Sequence, residues 1–294
     1  MADYAYHIVD VFTDTALQGN PLAVLPAAGG LGLEVMQRIA REFNLSETVF
    51  VLPSERVDCA ARFRIFTTTM EMRFAGHPTI GGAFVALQCG LVDRQTQCFL
   101  IEESIGAVPV RVESGGDSLR IWLTTPPISF GVRFDRRMCA DVLGLNESEL
   151  ADSPPQLVSA GNPNIFVALR HPASVDRAWL DFAGVRRLHD GQNSTDCVFV
   201  FAPTAAGAYS RMFAPEHGIV EDPATGSATG PLAAYMMRYG FASNKDGTGF
   251  ISEQGTKMGR RSLLHVRIHG DEGKAGIEVG GGVVPVAQGK LRLP

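Results

Sequence analysis

A chain of 294 residues with 45% hydrophobic and 19% charged residues holds enough apolar material for one large domain or two of about 150. A formal net charge of −5 argues against a generic nucleic-acid binder, and the short basic runs RFDRR (133–137) and GRRSLLHVR (259–267) read as solvated arginines. Five widely spaced cysteines without a C-x-x-C suggest neither a disulfide framework nor a zinc site, and no run of about 18 apolar residues marks a membrane span.

The opening MADYAYHIVDVF lacks the basic-then-apolar pattern of a secretory signal, so a reducing, cytoplasmic location is expected. Residues 4–12 read as a strand, and GNPLAVLP (19–26) as a turn followed by a short strand. In GLEVMQRIAREFN (32–44) apolar residues recur at i, i+3 and i+4, the pattern of an amphipathic helix. Strands follow at 47–53 and 61–68. The stretch 77–89 is apolar or small throughout, which marks a helix enclosed on every side. Strands are expected at 97–103, 107–113 and 118–124, and TTPPIS (124–129) is the best linker candidate. Beyond it, GNPNIFVALR (161–170) echoes the earlier GNPLAVLP. Strands at 196–201 and 208–213 lead to a second enclosed helix, and three or four short strands close the chain.

The echo extends to both helices. Placing Gly76 on Gly226 (226 − 76 = 150) puts His77 on Ser227, Thr79 on Thr229, Ala83 on Ala233 and Gly90 on Gly240. The chain therefore reads as α+β, with two copies of one unit, each a curved sheet around a buried helix. A buried helix leaves its first four N–H groups without intrahelical partners. Thr79, Thr225 and Ser227 are residue types that could cap them, and Pro78 suits the first helical position. The same ends could instead hold a carboxylate or an oxyanion, because Gly76 and Gly226 carry no side chain to shield the amides. No dinucleotide fingerprint, P-loop or G-x-S-x-G elbow is present. His265 and His269 lie four apart on a strand-like stretch without a nearby carboxylate, so no metal and no organic cofactor are expected.

GNPLAV, FNLSETVFV, RFAGHPTIGGAF, EDPATGSATGPLAAY and EQGTKMGRRS closely resemble the PhzF-like family of phenazine-biosynthesis isomerases, in order along most of the chain. The wider relatives are diaminopimelate epimerases and proline racemases. The resemblance implies two pseudo-symmetric barrels, each around a central helix, with the active site in the cleft between them. It puts the first domain at 1–128, completed by a returning strand at 281–294, and the second at 129–280. The epimerases carry a Cys just before each helix-start Gly. Here those positions are Ala75 and Thr225, so two-thiol chemistry is not available.

What the resemblance supplies instead is Glu47 as a single general base and acid. A carboxylate in a closed apolar cleft has its charged form disfavoured, which suits it to proton transfer. His77 is implied to bond substrate or orient that carboxylate, though a His at a helix start can equally be a cap. Asp222 is implied to be a second polar group near the reacting carbon, though it could be a turn residue. Gly76, Gly226 and Ser227 are implied to hold the substrate carboxylate, with Ser46 and Asn20 in the same binding group; Asn20 could also be purely a turn former. The implied protein is a homodimer acting on a small carboxylate, with no nucleic-acid or membrane partner. Proton-shift isomerisation is expected, with one-base epimerisation or racemisation and non-catalytic ligand binding as alternatives.

Overall fold

The computed structural model describes residues 2–115, 118–189, 195–270 and 276–293. The chain divides into two units, Met1–Thr124 with Gly280–Pro294, and Thr125–Val279. Both are α+β. Among the described residues no helix is long and apolar enough to cross a membrane.

A helix without a polar face has to be surrounded, and the first unit surrounds one. Its elements are β1 (Ala2–Val11), β2 (Asn20–Leu25), α1 (Leu33–Phe43), β3 (Glu47–Leu52), β4 (Ala61–Phe66), β5 (Glu71–Met72), α2 (Gly76–Gln88), β6 (Cys98–Glu103), β7 (Gly106–Gly115) and β8 (Ser118–Thr124). Strand pairs β1–β2, β3–β4, β6–β7 and β7–β8 are antiparallel, while β2–β3 and β4–β6 are parallel. The C-terminal strand Gly276–Leu293 pairs with β8 and runs antiparallel to β1, which closes a barrel of eight strands. Every residue of α2 from Gly76 to Leu87 is buried.

The adjacent glycines of α2 allow that enclosure. A Cβ on Gly81 would lie 2.5 Å from Leu22 and 2.8 Å from Val11, and one on Gly82 would lie 2.7 Å from Phe63. Residues from β1, β2 and β4 thus press on helix backbone where a side chain would not fit. The amphipathic α1 instead lies against one side of the sheet. Its Met36, Ile39 and Ala40 pack with Leu25, Phe50 and Phe66.

The second unit contains β9 (Ser129–Arg133), α3 (Arg136–Val142), β10 (Gln156–Ser159), β11 (Pro163–Ala168), α4 (Pro172–Arg177), β12 (Val198–Thr204), β13 (Gly207–Ala214), β14 (Ile219–Asp222), α5 (Gly226–Arg238), β15 (Gly249–Gln254) and β16 (Ser262–His269). From β10–β11 to β15–β16 it repeats the pairing directions of β1–β2 to β6–β7, with the parallel pairs β11–β12 and β13–β15 in the same places. The repeat reaches individual contacts. Arg64 bonds both oxygens of Glu71 and lies over Phe66; Arg211 does the same with Glu221 and Phe213.

Two sequence expectations need correction. The run RFDRR is not simply solvated. Asp135 caps α3 through Met138 N, and the Arg136 guanidinium bonds the carbonyls of Leu150, Ala151 and Ser153. The chain closes on two strands and one of 18 residues, instead of several short ones. The long strand was hidden because Gly280, Gly281 and Gly282 interrupt its apolar pattern. A Cβ on Gly280 would meet the Trp122 ring at 2.4 Å, so the interruption is a packing requirement.

Candidate active site

In the first unit β3 opens on Glu47, which is 8% exposed. Its parallel partner β2 opens on Asn20, which is fully buried. Both strand ends arrive at the start of α2. There Nδ2 of Asn20 lies 3.2 Å from Nδ1 of His77, and Nε2 of His77 lies 3.3 Å from Oε2 of Glu47. An amide nitrogen only donates, so Nδ1 accepts and the ring proton sits on Nε2, on the Glu47 side. The Nε2–Oε2 contact is close but not aligned as a hydrogen bond. Ser46 sits half-buried in the bend before Glu47.

Burial pushes the His77 imidazolium down to about 3, so the ring is neutral across the physiological range. The unfolded chain takes up that proton near the ordinary value of 6.5, the folded chain only near 3. Stability from neutral His77 is therefore present above pH 6.5 and is lost as pH falls through that window. We expect His77→Gln to flatten the fall in melting temperature between about pH 6.5 and pH 4. An unchanged slope would mean that His77 is already charged in the folded protein.

The expected side-chain caps do not form. Ala75 and Thr225 are the N-cap residues of α2 and α5, and neither helix has a side-chain cap bond. Thr79 and Thr229 donate backward, to the carbonyls of Ala75 and Thr225. Ser227 is half-buried in the first turn of α5, inside the helix, where it caps nothing. Pro78 is the third helical residue, because the helix already begins at Gly76. In the first turns, the N–H groups of Thr79, Ala228 and Thr229 reach the N-cap carbonyls. Among the described residues, those of Gly76, His77, Gly226 and Ser227 find no acceptor. Each helix start thus offers two adjacent free amides at the positive end of its dipole, the arrangement that takes an anion.

In the second unit β14 ends on Asp222, which is 6% exposed. Its Oδ2 accepts a 2.5 Å bond from Thr225 Oγ1. Thr225 is held in turn by Gln254, whose Nε2 donates to Thr225 Oγ1 at 2.9 Å and to Asp222 O at 2.8 Å. Oε1 of Gln254 accepts from Thr225 N at 3.1 Å. Gln254 fixes the threonine hydroxyl so that its proton points at Asp222. We expect Thr225→Val, which keeps shape and removes the hydroxyl, to cost about 1–3 kcal/mol in urea denaturation. It should also lower kcat more than it raises KM, because Asp222 loses its orientation.

The first-unit residues Asn20, Glu47, His77 and Gly76 thus converge at one helix start, and Asp222, Gly226 and Ser227 at the other. Gln254 and its counterpart Glu103 were missed. Each ends the strand that follows its unit's central helix, and the signal was the pair of strand ends LIEE (100–103) and ISEQ (251–254). Among the described residues no cluster of three potential metal ligands occurs. His269 does meet a carboxylate, Glu278 at 2.7 Å.

The family model "Phenazine biosynthesis-like protein" matches residues 9–289. The chain belongs to that family. It is 34% identical to a trans-2,3-dihydro-3-hydroxyanthranilate isomerase of Pseudomonas aeruginosa, over 99% of this chain and 100% of the other. It is 36% identical to an uncharacterized isomerase of Mesorhizobium japonicum, over 97% and 98% of the two chains. A crystal structure of a PhzF-family phenazine biosynthesis protein from Bacillus anthracis superposes with a TM-score of 0.90 at 26% identity, with 100% of each chain covered. The chain is an isomerase of the phenazine biosynthesis-like family, and its two units have the fold of that family.

Proposed function

We propose that this phenazine biosynthesis-like protein moves a proton between two carbons of a small carboxylate, with Glu47 as the only acid–base group and no cofactor. The observation that carries the reading is the buried cluster of Glu47, neutral His77 and Asn20 beside the two free amides of α2. In the first step Glu47 takes a proton from carbon, and the electron pair left behind spreads into the adjacent double bond and carboxylate. The amides of Gly76 and His77 and the Nε2–H of His77 stabilise that anion as it forms. In the second step Glu47 returns the same proton to another carbon of the conjugated system. The double bond shifts, and Glu47 is a carboxylate again.

In the second unit, Asp222 and Ser227 at the start of α5 are polar groups of the proposed machinery. The name of the Pseudomonas aeruginosa relative supports a cyclic hydroxy- or amino-carboxylate such as trans-2,3-dihydro-3-hydroxyanthranilate. One observation keeps one-base epimerisation as a second reading. A single carboxyl that returns its proton to the carbon it left, on the other face of the anion, would epimerise that carbon with the same cluster of Glu47, His77 and Asn20. The cytoplasmic homodimer implied by the resemblance belongs to the same proposal, and light scattering on the purified protein tests the dimer.

Incubation in D2O with trans-2,3-dihydro-3-hydroxyanthranilate, and separately with α-amino acids, distinguishes the readings by NMR. A shifted double bond, with deuterium at the new carbon only to the extent that the Glu47 proton exchanges with solvent, supports the isomerase. Deuterium only at an α-carbon supports the epimerase. Neither a shifted double bond nor deuterium in any of them overturns both readings and leaves a ligand-binding protein.

A further inference from the structure

Under the first turn of α2 sits a carboxyl that the proposed proton transfer does not use. Glu103 ends β6 and is 4% exposed. Its Oε1 lies 2.5 Å from Oγ1 of Thr79, and that hydroxyl also lies 2.7 Å from the carbonyl oxygen of Ala75. A hydroxyl has one proton to give, and a carbonyl has none. The proton of Thr79 goes to Ala75, just as that of Thr229 goes to Thr225 at the same place in α5. The contact with Glu103 then needs a proton from Glu103 itself. A carboxylate has none, whereas a carboxylic acid does. Oε2 of Glu103 is buried without a partner among the described residues, and leaving a neutral carbonyl oxygen there costs far less than leaving a charge.

The second unit supports the same assignment. Gln254 ends β15 as Glu103 ends β6, is fully buried, and holds the start of α5 with an uncharged side chain. Among the described residues, the surrounding groups offer Glu103 no compensating charge. On α2 the titratable group is His77, which is neutral. On β4, Arg62 pairs with Glu55 and Glu102, and Arg64 with Glu71. On β7 the residue opposite Glu103 is Gly106, and from the segment before α2 Arg73 contributes a backbone carbonyl to Ile105.

We infer that Glu103 is a protonated carboxylic acid in the working enzyme and a positioning residue for the first turn of α2. As a neutral group it steadies Thr79 and leaves the Gly76 and His77 amides to a substrate anion. Ionised, it would set a negative charge beside that turn and repel the anion. This consequence rests on the proposed role of the turn in holding a substrate carboxylate; the protonation state does not. Burial pushes the Glu103 carboxyl up to about 8, against the opposing pull of Thr79.

The test follows the ring nitrogens of His77 by 15N NMR across about pH 6 to pH 9.5, without ligand. His77 does not titrate there, so a change reports a neighbour. We expect its resonances to move in one step near pH 8 in the wild type and to stay fixed in Glu103→Gln. Constant resonances in the wild type, or the same step in Glu103→Gln, overturn the inference. Should Glu103→Gln fail to fold, wild-type protein carrying 13C in its glutamate carboxyls decides the question. One carboxyl titrating near pH 8 is expected, and if all titrate below about pH 6 the inference falls. In activity assays with trans-2,3-dihydro-3-hydroxyanthranilate, KM should rise about tenfold between pH 7 and pH 9 in the wild type and stay level in Glu103→Gln, with kcat little changed. If the NMR step appears and the protein does not turn this compound over, the functional proposal fails and the protonated Glu103 stands. If turnover is normal and KM follows the same course in both proteins, the positioning role fails.

Discussion

Glu47→Gln should lower kcat by about 10²- to 10⁴-fold while KM changes by less than about threefold. The substitution keeps the shape of a side chain that is 8% exposed and leaves the neighbouring His77 neutral. What it removes is the one group of the cluster that can both accept and return a proton. Asn20 offers His77 an amide donor, and the His77 ring already holds its proton on Nε2, so neither can replace the carboxyl. An unchanged melting temperature would show that the loss is chemical. A variant that kept a tenth or more of the wild-type rate would remove Glu47 from the proton path.

Arg211→Ala should destabilise the second unit by about 3–5 kcal/mol, the largest loss we expect from a residue outside the site. The guanidinium is 6% exposed and pairs with Glu221, which is 13% exposed. Its Nη1 also donates to the carbonyls of Val175, Asp176 and Ala178, and the group lies 4.9 Å from the Phe213 ring centroid. Truncation would leave a nearly buried carboxylate and three carbonyls without that donor. The matched Arg64→Ala in the first unit should cost only about 1–2 kcal/mol. Its pair with Glu71 is 19% and 26% exposed, and the charge pairing is otherwise the same. Equal losses in urea denaturation would mean that the carbonyl network around Arg211 contributes nothing.

The two central helices were legible because length and uniform apolarity leave few options. A 13-residue stretch such as 76–88, with no polar face, can only be enclosed, and the Gly-Asn-Pro echo pointed to two enclosures. The short elements were not legible. β5 and β14 have two and four residues, too few for any period, yet β14 delivers Asp222. β10 and α3 are likewise short and partly polar, and their identity comes from the neighbours they pair with.

The site divides along the same line. Glu47, His77 and Asp222 came from motif resemblance, because no local pattern distinguishes a working Glu at a strand start from a solvated one. Gln254 and Glu103 are set beside Thr225 and Thr79 by parallel pairing of strands far apart in sequence, β13 with β15 and β4 with β6. Periodicity carries no trace of such contacts, and only the repeat of the strand ends hints at them. The missing caps have a physical reason too. Thr79 and Thr229 lie one turn inside their helices, where a hydroxyl reaches back to a carbonyl more readily than forward to an amide.

The most direct test of a single proton carrier is a first-turnover experiment in ordinary water. Substrate deuterated at the carbon that loses its hydrogen is mixed with excess enzyme, and the product is read by mass spectrometry and NMR. One acid, shielded from solvent, should deliver part of that deuterium to the carbon that gains a hydrogen. Product carrying only solvent hydrogen at that carbon would contradict the one-acid mechanism.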